Sequence, residues 1–120
     1  MLMPNFTYIK VKSLKEAIGQ LSSKGARVHS GGTDLVGCLR DDVFGAEKLV
    51  SIGQLKTLSG ISRASDGGLR IGALTTIADI ENDKTIRERY SALSQAASEV
   101  GSPQLRNQGT IGGNICQKPR

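Results

Sequence analysis

The spacing of hydrophobic residues predicts a strand and then an amphipathic helix at the start of the chain. Residues 6–11 carry β-forming side chains in partial alternation, which is typical of a short strand. Ser13 and Glu16 stand at the two ends of a capping box, a common helix start. Hydrophobic residues then recur at helical spacing and predict a helix over 13–24 with one apolar face, formed by Leu14, Ala17, Ile18 and Leu21.

The pattern continues with a strand, a second helix and a buried strand. Gly25 ends the first helix, and residues 26–28 form a short apolar run that is typical of a strand. Residues 48–52 are largely apolar, as expected of a strand buried on both faces. Between these strands the spacing predicts a helix over 34–41, with one face formed by Leu35, Val36 and Leu39.

The second half of the chain has the pattern of a hairpin followed by helices. Residues 58–63 and 69–74 flank an Asp-Gly turn at 65–68, which predicts a β-hairpin. Helical spacing of hydrophobic residues then predicts helices over 76–82 and 89–100, and Gly101 and Pro103 end the second of them. The whole pattern predicts an α+β fold with two small lobes, 1–55 and 56–120.

A first glycine segment, Ser30-Gly31-Gly32-Thr33-Asp34-Leu35, lies between a predicted strand and a predicted helix. Glycines without side chains let backbone N–H groups approach a ligand closely, and such a turn before a helix favours phosphate binding. Thr33 and Asp34 are also good N-cap residues, so a turn and a helix cap without a ligand is an alternative.

A second glycine segment, Arg106-Asn107-Gln108-Gly109-Thr110-Ile111-Gly112-Gly113-Asn114, is also rich in hydrogen-bond donors. Two such turns could close on one phosphate-bearing ligand from two sides. Neither segment contains Gly-x-Gly-x-x-Gly, and the chain has no Gly-Lys-Ser or Gly-Lys-Thr. The sequence therefore lacks the residues of Rossmann and P-loop nucleotide sites.

Composition narrows the possible functions. The formal net charge is +5, but sixteen basic residues are scattered among eleven acidic ones, and two tyrosines and two phenylalanines are too few for a base-stacking platform. We therefore expect no nucleic-acid partner. No apolar run is long enough for a membrane span and no secretory signal is visible, so we expect a cytoplasmic protein without membrane association.

The residues that could carry catalysis or hold a metal are few. Cys38 and Cys116 have no metal-ligand spacing, which favours free thiols in a reducing compartment. Cys38 fits a small buried position on its helix. No nucleophile triad, paired-carboxylate or zinc motif is visible, and His29, a lone histidine beside the first glycine segment, is more simply structural. We expect no catalytic residue and no metal ligand within the chain.

The two glycine segments together resemble the FAD-binding subunit of the molybdenum hydroxylases, such as xanthine dehydrogenase, the carbon monoxide dehydrogenase medium subunit and 4-hydroxybenzoyl-CoA reductase. Residues 71–76 and 96–102 also resemble family segments, in the right order. Ser30 stands where the family usually has alanine. Family members usually continue well beyond Arg120, and some insert a [4Fe–4S] segment there, so the resemblance implies the N-terminal portion of a subunit.

The resemblance implies a PCMH-type fold, with a flavin cleft between two small α/β lobes, and FAD as the cofactor. FAD would relay electrons from iron–sulfur clusters to NAD or another acceptor, beside a molybdenum-cofactor subunit and a [2Fe–2S] subunit. Arg106 would brace its segment or face a phosphate, and Thr75 and Thr76 would lie near the flavin or cap a helix. A non-redox nucleotide- or phosphate-binding module is the alternative. The implied cofactor-binding residues are Ser30, Gly31, Gly32, Thr33, Asp34, Leu35, Arg106, Thr110, Ile111, Gly112, Gly113 and Asn114.

Overall fold

The computed structural model describes residues 3–117 of the chain. It is an α+β structure, as the hydrophobic pattern predicts. The chain divides into two compact units, one up to Lys56 and one from Thr57 onward. A short 3₁₀ turn, Lys56–Leu58, lies at the division.

The first unit is a three-stranded parallel sheet with two helices. Its elements are β1 (Thr7–Lys10), α1 (Leu14–Leu21), β2 (Ala26–His29), α2 (Leu35–Arg40) and β3 (Lys48–Ser51). The strand order is β1-β3-β2, so β3 lies in the centre. All five elements were predicted from the sequence, although both helices are shorter than predicted because α1 stops at a Ser22 cap and α2 stops at Asp41.

The carboxyl ends of the three parallel strands meet at one edge of this sheet. Lys10 pairs in register with Ser51, and Ser51 pairs with His29. In open α/β sheets, ligands bind outside this edge. The first glycine segment begins at Ser30, immediately after β2, and therefore lies at the edge where a ligand site is expected.

The apolar face of α1 is only partly buried. Ala17 is buried, but Leu14 is 55% exposed and Ile18 is 64% exposed. Helical spacing shows which side chains share a face but not how much of that face is covered. The buried hydrophobic residues of this unit are Val11, Ala17, Cys38, Leu39, Leu49, Val50 and Leu55.

Up to residue 117, the second unit has a hairpin and five short helices. The hairpin strands β4 (Ile61–Arg63) and β5 (Leu69–Ile71) pair antiparallel, as predicted. The helices are α3 (Ile77–Asn82), α4 (Lys84–Arg89), α5 (Ser91–Ser98), α6 (Pro103–Gln108) and α7 (Ile111–Cys116). Four residues on α3, α4 and α5 are its buried centre: Ile77, Ile80, Ile86 and Ala97.

Two features of this unit differ from the prediction. The helix predicted over 89–100 is α5 alone, because Tyr90 leaves helical geometry with φ −136° and separates it from α4. As predicted, α5 ends before Gly101 and Pro103, but Pro103 also begins α6, a helix that was not predicted. Proline is well suited to a first turn because the N–H that it lacks would have no intrahelical partner there.

Candidate functional site

The first glycine segment is a tight turn in which Gly32 has a structural requirement for glycine. Gly32 has φ +74°, a left-handed conformation that other residues rarely adopt. A Cβ placed on Gly32 would lie 2.8 Å from Nε2 of His29 and 3.2 Å from a methyl group of Val36. Any larger residue would therefore strain the backbone and collide with the histidine below it.

The alternative that this segment is only a turn and a helix cap is met in position but not in hydrogen bonding. Asp34 occupies the N-cap position of α2, but its side chain makes no capping hydrogen bond. Its Oδ2 instead accepts a hydrogen bond from the Cys38 thiol at a sulfur–oxygen distance of 3.7 Å. Thr33 is exposed, whereas Ser30, Gly31 and Leu35 are half-buried. The carboxylate of Asp34 therefore does not cap α2.

His29, which directly precedes the first glycine segment, is partly buried and has an unusual environment. Its Nδ1 is buried and has no hydrogen-bond partner in the part of the chain that the structure describes. Burial lowers the pKa of His29 below its ordinary value of 6.5. The Tyr8 ring meets the imidazole edge-on, with centroids 5.6 Å apart and an angle of 78°. The sequence showed that His29 was adjacent to the glycines, but no pattern indicated that its ring lies against Gly32.

The second glycine segment was expected to be a turn, but most of it is helical. Arg106, Asn107 and Gln108 are the last residues of α6, and α7 begins at Ile111. Thr110 is the N-cap of α7, because its hydroxyl oxygen accepts a hydrogen bond from the Gly113 N–H at 3.1 Å. The segment is therefore the end of one helix, a short turn and the start of the next helix. Because glycine has a low helix propensity, the two glycines inside α7 prevented the prediction of this helix.

The backbone donors at the start of α7 already have protein partners. Ile111 N–H donates to the Thr75 carbonyl at 2.9 Å, and Gly112 N–H donates to the Ala73 carbonyl at 2.8 Å. With Gly113 bonded to Thr110, three successive N–H groups are engaged within the second unit. The start of α7 therefore does not present a row of open donors. The exposed residues of the segment are Asn107, Gln108 and Gly113, and Asn114 is half-buried.

Gly112 is required by close packing rather than by an unusual backbone angle. A Cβ at this position would lie 2.9 Å from both the Cβ and the carbonyl oxygen of Ala73. The side chain of Ile111 packs against the buried centre of the second unit. These two residues therefore hold α7 against its own unit.

Arg106 makes interactions within the second unit that account for its charge. Its Nε donates to Oε2 of Glu81 at 3.1 Å, and the two side chains are only 13% and 26% exposed. Its Nη1 donates to the Val100 carbonyl at 3.0 Å. Of the two roles expected for Arg106, this geometry favours bracing the segment over facing a phosphate.

The threonine pair before α3 has two different structural roles. Thr76 caps α3, since its hydroxyl accepts from the Asp79 N–H at 3.1 Å. Thr75 is buried, and its hydroxyl donates to the Gly60 carbonyl at 3.1 Å while accepting from the Gly60 N–H at 3.0 Å. Thr76 also forms an isolated antiparallel bridge with Thr110. The starts of α3 and α7 are therefore joined side by side.

The cysteines and acidic residues suggest no further site. Cys38 is buried, as predicted, and Cys116 is exposed; both are free thiols. Within residues 3–117, no group of three or more histidine, cysteine, aspartate or glutamate side chains is arranged to hold a metal ion. In the same range, none of the helices has the length and apolarity that crossing a bilayer requires.

Comparison with known proteins identifies the family. Residues 4–120 match the family described as the FAD binding domain in molybdopterin dehydrogenase. The chain belongs to this family. This confirms the resemblance noted in the sequence, the PCMH-type fold and FAD as the cofactor of the FAD-binding domain.

Relatives of this FAD-binding domain include subunits of several dehydrogenases. The chain is 42% identical over 116 residues to the nicotinate dehydrogenase FAD-subunit of Eubacterium barkeri, covering 94% of this chain and 39% of that protein. It is 38% identical over 111 residues to the xanthine dehydrogenase FAD-binding subunit of Escherichia coli O157:H7, covering 92% and 38%. The chain thus spans about two fifths of the length of these curated relatives.

A solved structure has the same fold. Carbon monoxide dehydrogenase from Hydrogenophaga pseudoflava matches with a TM-score of 0.88 at 33% identity, over 96% of this chain and 40% of that one. The first glycine segment has two features that are expected of a phosphate site. Gly32 adopts a left-handed turn conformation, and the segment lies at the carboxyl edge of a parallel sheet.

Proposed function

We propose that this chain forms the FAD-binding portion of a molybdenum-containing hydroxylase or dehydrogenase. In this proposal the first glycine segment holds the FAD pyrophosphate, and Gly113 and Asn114 of the second glycine segment contact the cofactor, while Arg106 braces that segment. Bound FAD would supply the redox chemistry, receiving electrons from iron–sulfur clusters and passing them to NAD or another acceptor. The chain itself would bind and orient the cofactor and would not touch the organic substrate.

The observation that carries the proposal is the conformation of Gly32. A left-handed glycine with no room for a Cβ lies directly between a strand end and a helix start, where backbone can approach a pyrophosphate. Membership of the FAD-binding family supplies the identity of the ligand.

The proposed partners follow from the relatives. The FAD subunits of nicotinate and xanthine dehydrogenase are named as components of dehydrogenases. We therefore propose that this chain assembles with a molybdenum-cofactor subunit and a [2Fe–2S] subunit. The two free cysteines suit a reducing compartment, which supports a cytoplasmic location.

The proposal is tested by the flavin content of the purified full-length protein and of one glycine variant. We expect the protein to be yellow and to release FAD on denaturation. Gly32→Ala should lose most of its bound FAD, because the new Cβ would collide with His29 and deform the segment.

Gly67→Ala is the matched control. Gly67 also has a positive φ, +88°, but no heavy atom lies within 4 Å of a Cβ added there. Both variants should lose about 1–2 kcal/mol of stability from the left-handed backbone, and only Gly32→Ala should lose FAD. A colourless full-length protein that binds a nucleotide without redox change would favour the non-redox module instead.

A further inference from the structure

The imidazole of His29 lies directly beneath the first glycine segment. His29 is the last residue of β2, at the carboxyl edge of the sheet, and the segment begins at the next residue. Its Nε2 is the atom nearest to the position that a Cβ on Gly32 would occupy, and Cδ2 is 3.6 Å from that position. The Nε2 edge of the ring therefore faces the backbone of Gly32.

The other ring nitrogen determines where the proton of neutral His29 resides. Nδ1 is buried without a partner in the described residues, so a proton there would be a buried donor with no acceptor. The neutral ring avoids this cost by carrying its proton on Nε2. The doubly protonated ring would incur the cost, which agrees with the lowered pKa of His29. His29 thus directs an N–H donor towards the glycine segment.

We propose that His29 is an additional FAD-binding residue, whose Nε2–H donates a hydrogen bond to an anionic pyrophosphate oxygen held by the first glycine segment. This inference rests on the proposed function, since it takes the anion to be the cofactor pyrophosphate. The edge-on contact with Tyr8 fixes the ring orientation for this role.

A phosphate contact makes FAD binding depend on the protonation of His29. A nearby anion favours the charged imidazolium, so bound pyrophosphate raises the pKa of His29 relative to the free protein. By linkage, FAD then binds more tightly as the pH falls through the pKa of His29 in the complex. A histidine that serves only as a packing wedge would show no such dependence.

The titratable and charged side chains around His29 come from three elements and from the glycine segment. The Tyr8 ring contacts it from β1, where Lys10 has the same register position as His29, and Arg27 lies on its own strand. Asp34 lies in the glycine segment and Cys38 on α2. His29 is also the only histidine in the chain.

Two substitutions of similar length separate hydrogen bonding from packing. In His29→Gln, the amide nitrogen reaches the place of Nε2 and can donate but does not titrate; His29→Met has the same length and no donor. In the full-length protein we expect His29→Gln to bind FAD within about threefold of wild type, and His29→Met about tenfold more weakly. Because the pKa of His29 in the free protein lies below 6.5, wild-type affinity should rise as the pH falls from about 8 to below about 6, and this rise should disappear in His29→Gln.

The phosphorus NMR signals of bound FAD give a readout independent of affinity. They should shift with pH in wild type, following the titration of His29, and stay constant in His29→Gln. Equal affinities and pH profiles for wild type and His29→Met, or signals in wild type that do not move, would overturn the contact. Equal losses in both variants would show a packing role and also overturn it. A wild-type protein that binds no FAD would instead refute the proposed function.

Discussion

At the scale of single residues, the two glycine pairs are required for different physical reasons. Gly32 is required by a left-handed backbone and by the histidine packed against it. Gly112 is helical and is required because α7 lies against Ala73. The sequence shows the same residue type in both segments, and only three-dimensional contacts distinguish a turn that can approach a ligand from a close helix contact.

A substitution of Arg106 tests whether this residue stabilises its segment or binds a phosphate. Arg106→Met removes a partly buried ion pair with Glu81 and a hydrogen bond to the Val100 carbonyl. We expect a loss of about 1–3 kcal/mol in the free energy of unfolding, because hydrogen bonds to charged groups are worth this much. Chemical denaturation of the full-length protein measures the loss.

A double-mutant cycle with Glu81→Gln separates the pair from the rest of the effect. Coupling of about 0.5–3 kcal/mol between the two positions is expected if the side chains act as a unit. Weakening of FAD binding by Arg106→Met with unchanged stability would contradict the bracing role and assign Arg106 to the phosphate.

At the scale of elements, the short helices are stabilised by tertiary contacts, and local periodicity alone does not predict them. Five helices of the second unit span six to eight residues, which is too short to be stable alone. The sequence predicted α3 and α5 from their hydrophobic spacing, but it did not predict α4, α6 and α7. Each of these three helices begins after a residue whose side chain accepts a capping hydrogen bond, Asp83, Ser102 and Thr110, and these caps were not part of the prediction.

The strands and the first glycine segment were more predictable than these helices. Continuous apolar residues mark β3 because it is the central strand, and Asp66-Gly67 marks the hairpin because its turn needs a positive φ. The site was predictable where it depends on backbone conformation, as at Gly32. It was not predictable where it depends on packing across strands, as for His29 against Tyr8.

Thr110 tests whether a cap holds the second glycine segment. Thr110→Val removes the hydroxyl that accepts from Gly113, and should lower the free energy of unfolding by about 1 kcal/mol. Thr110→Ser keeps the hydroxyl and is the control, with a smaller loss. Thermal or denaturant unfolding of the three proteins gives the comparison, and equal stability of Thr110→Val and wild type would show that the cap contributes nothing.

At the scale of the whole molecule, two of the four phenylalanine and tyrosine side chains pack against other side chains. The guanidinium of Arg27 lies 4.1 Å from the centroid of the Phe44 ring, and Tyr8 packs on His29. A bound ligand of drug size usually has most of its surface buried, largely by apolar and aromatic groups. Residues 3–117 contain the glycine segment proposed to bind the pyrophosphate but no evident group of aromatic side chains that would cover a flavin ring.

The isolated chain should therefore bind FAD weakly. We expect residues 1–120, produced alone, to show a dissociation constant well above about 1 μM, because the pyrophosphate contacts alone do not bury the ring. Flavin fluorescence during titration of FAD into the fragment measures the constant. Tight, one-to-one binding to a monomer would show instead that this chain suffices.

The joined starts of α3 and α7 determine how the second glycine segment can move. Three backbone amides cross this junction: Ile77 to Gly109, Ile111 to Thr75, and Gly112 to Ala73. Hydrogen exchange at these amides requires the junction to open, so they should exchange together and slowly in a local opening event. The second glycine segment then keeps one conformation within its unit and does not open and close as a lid. A cofactor that contacts it would bind a preformed surface.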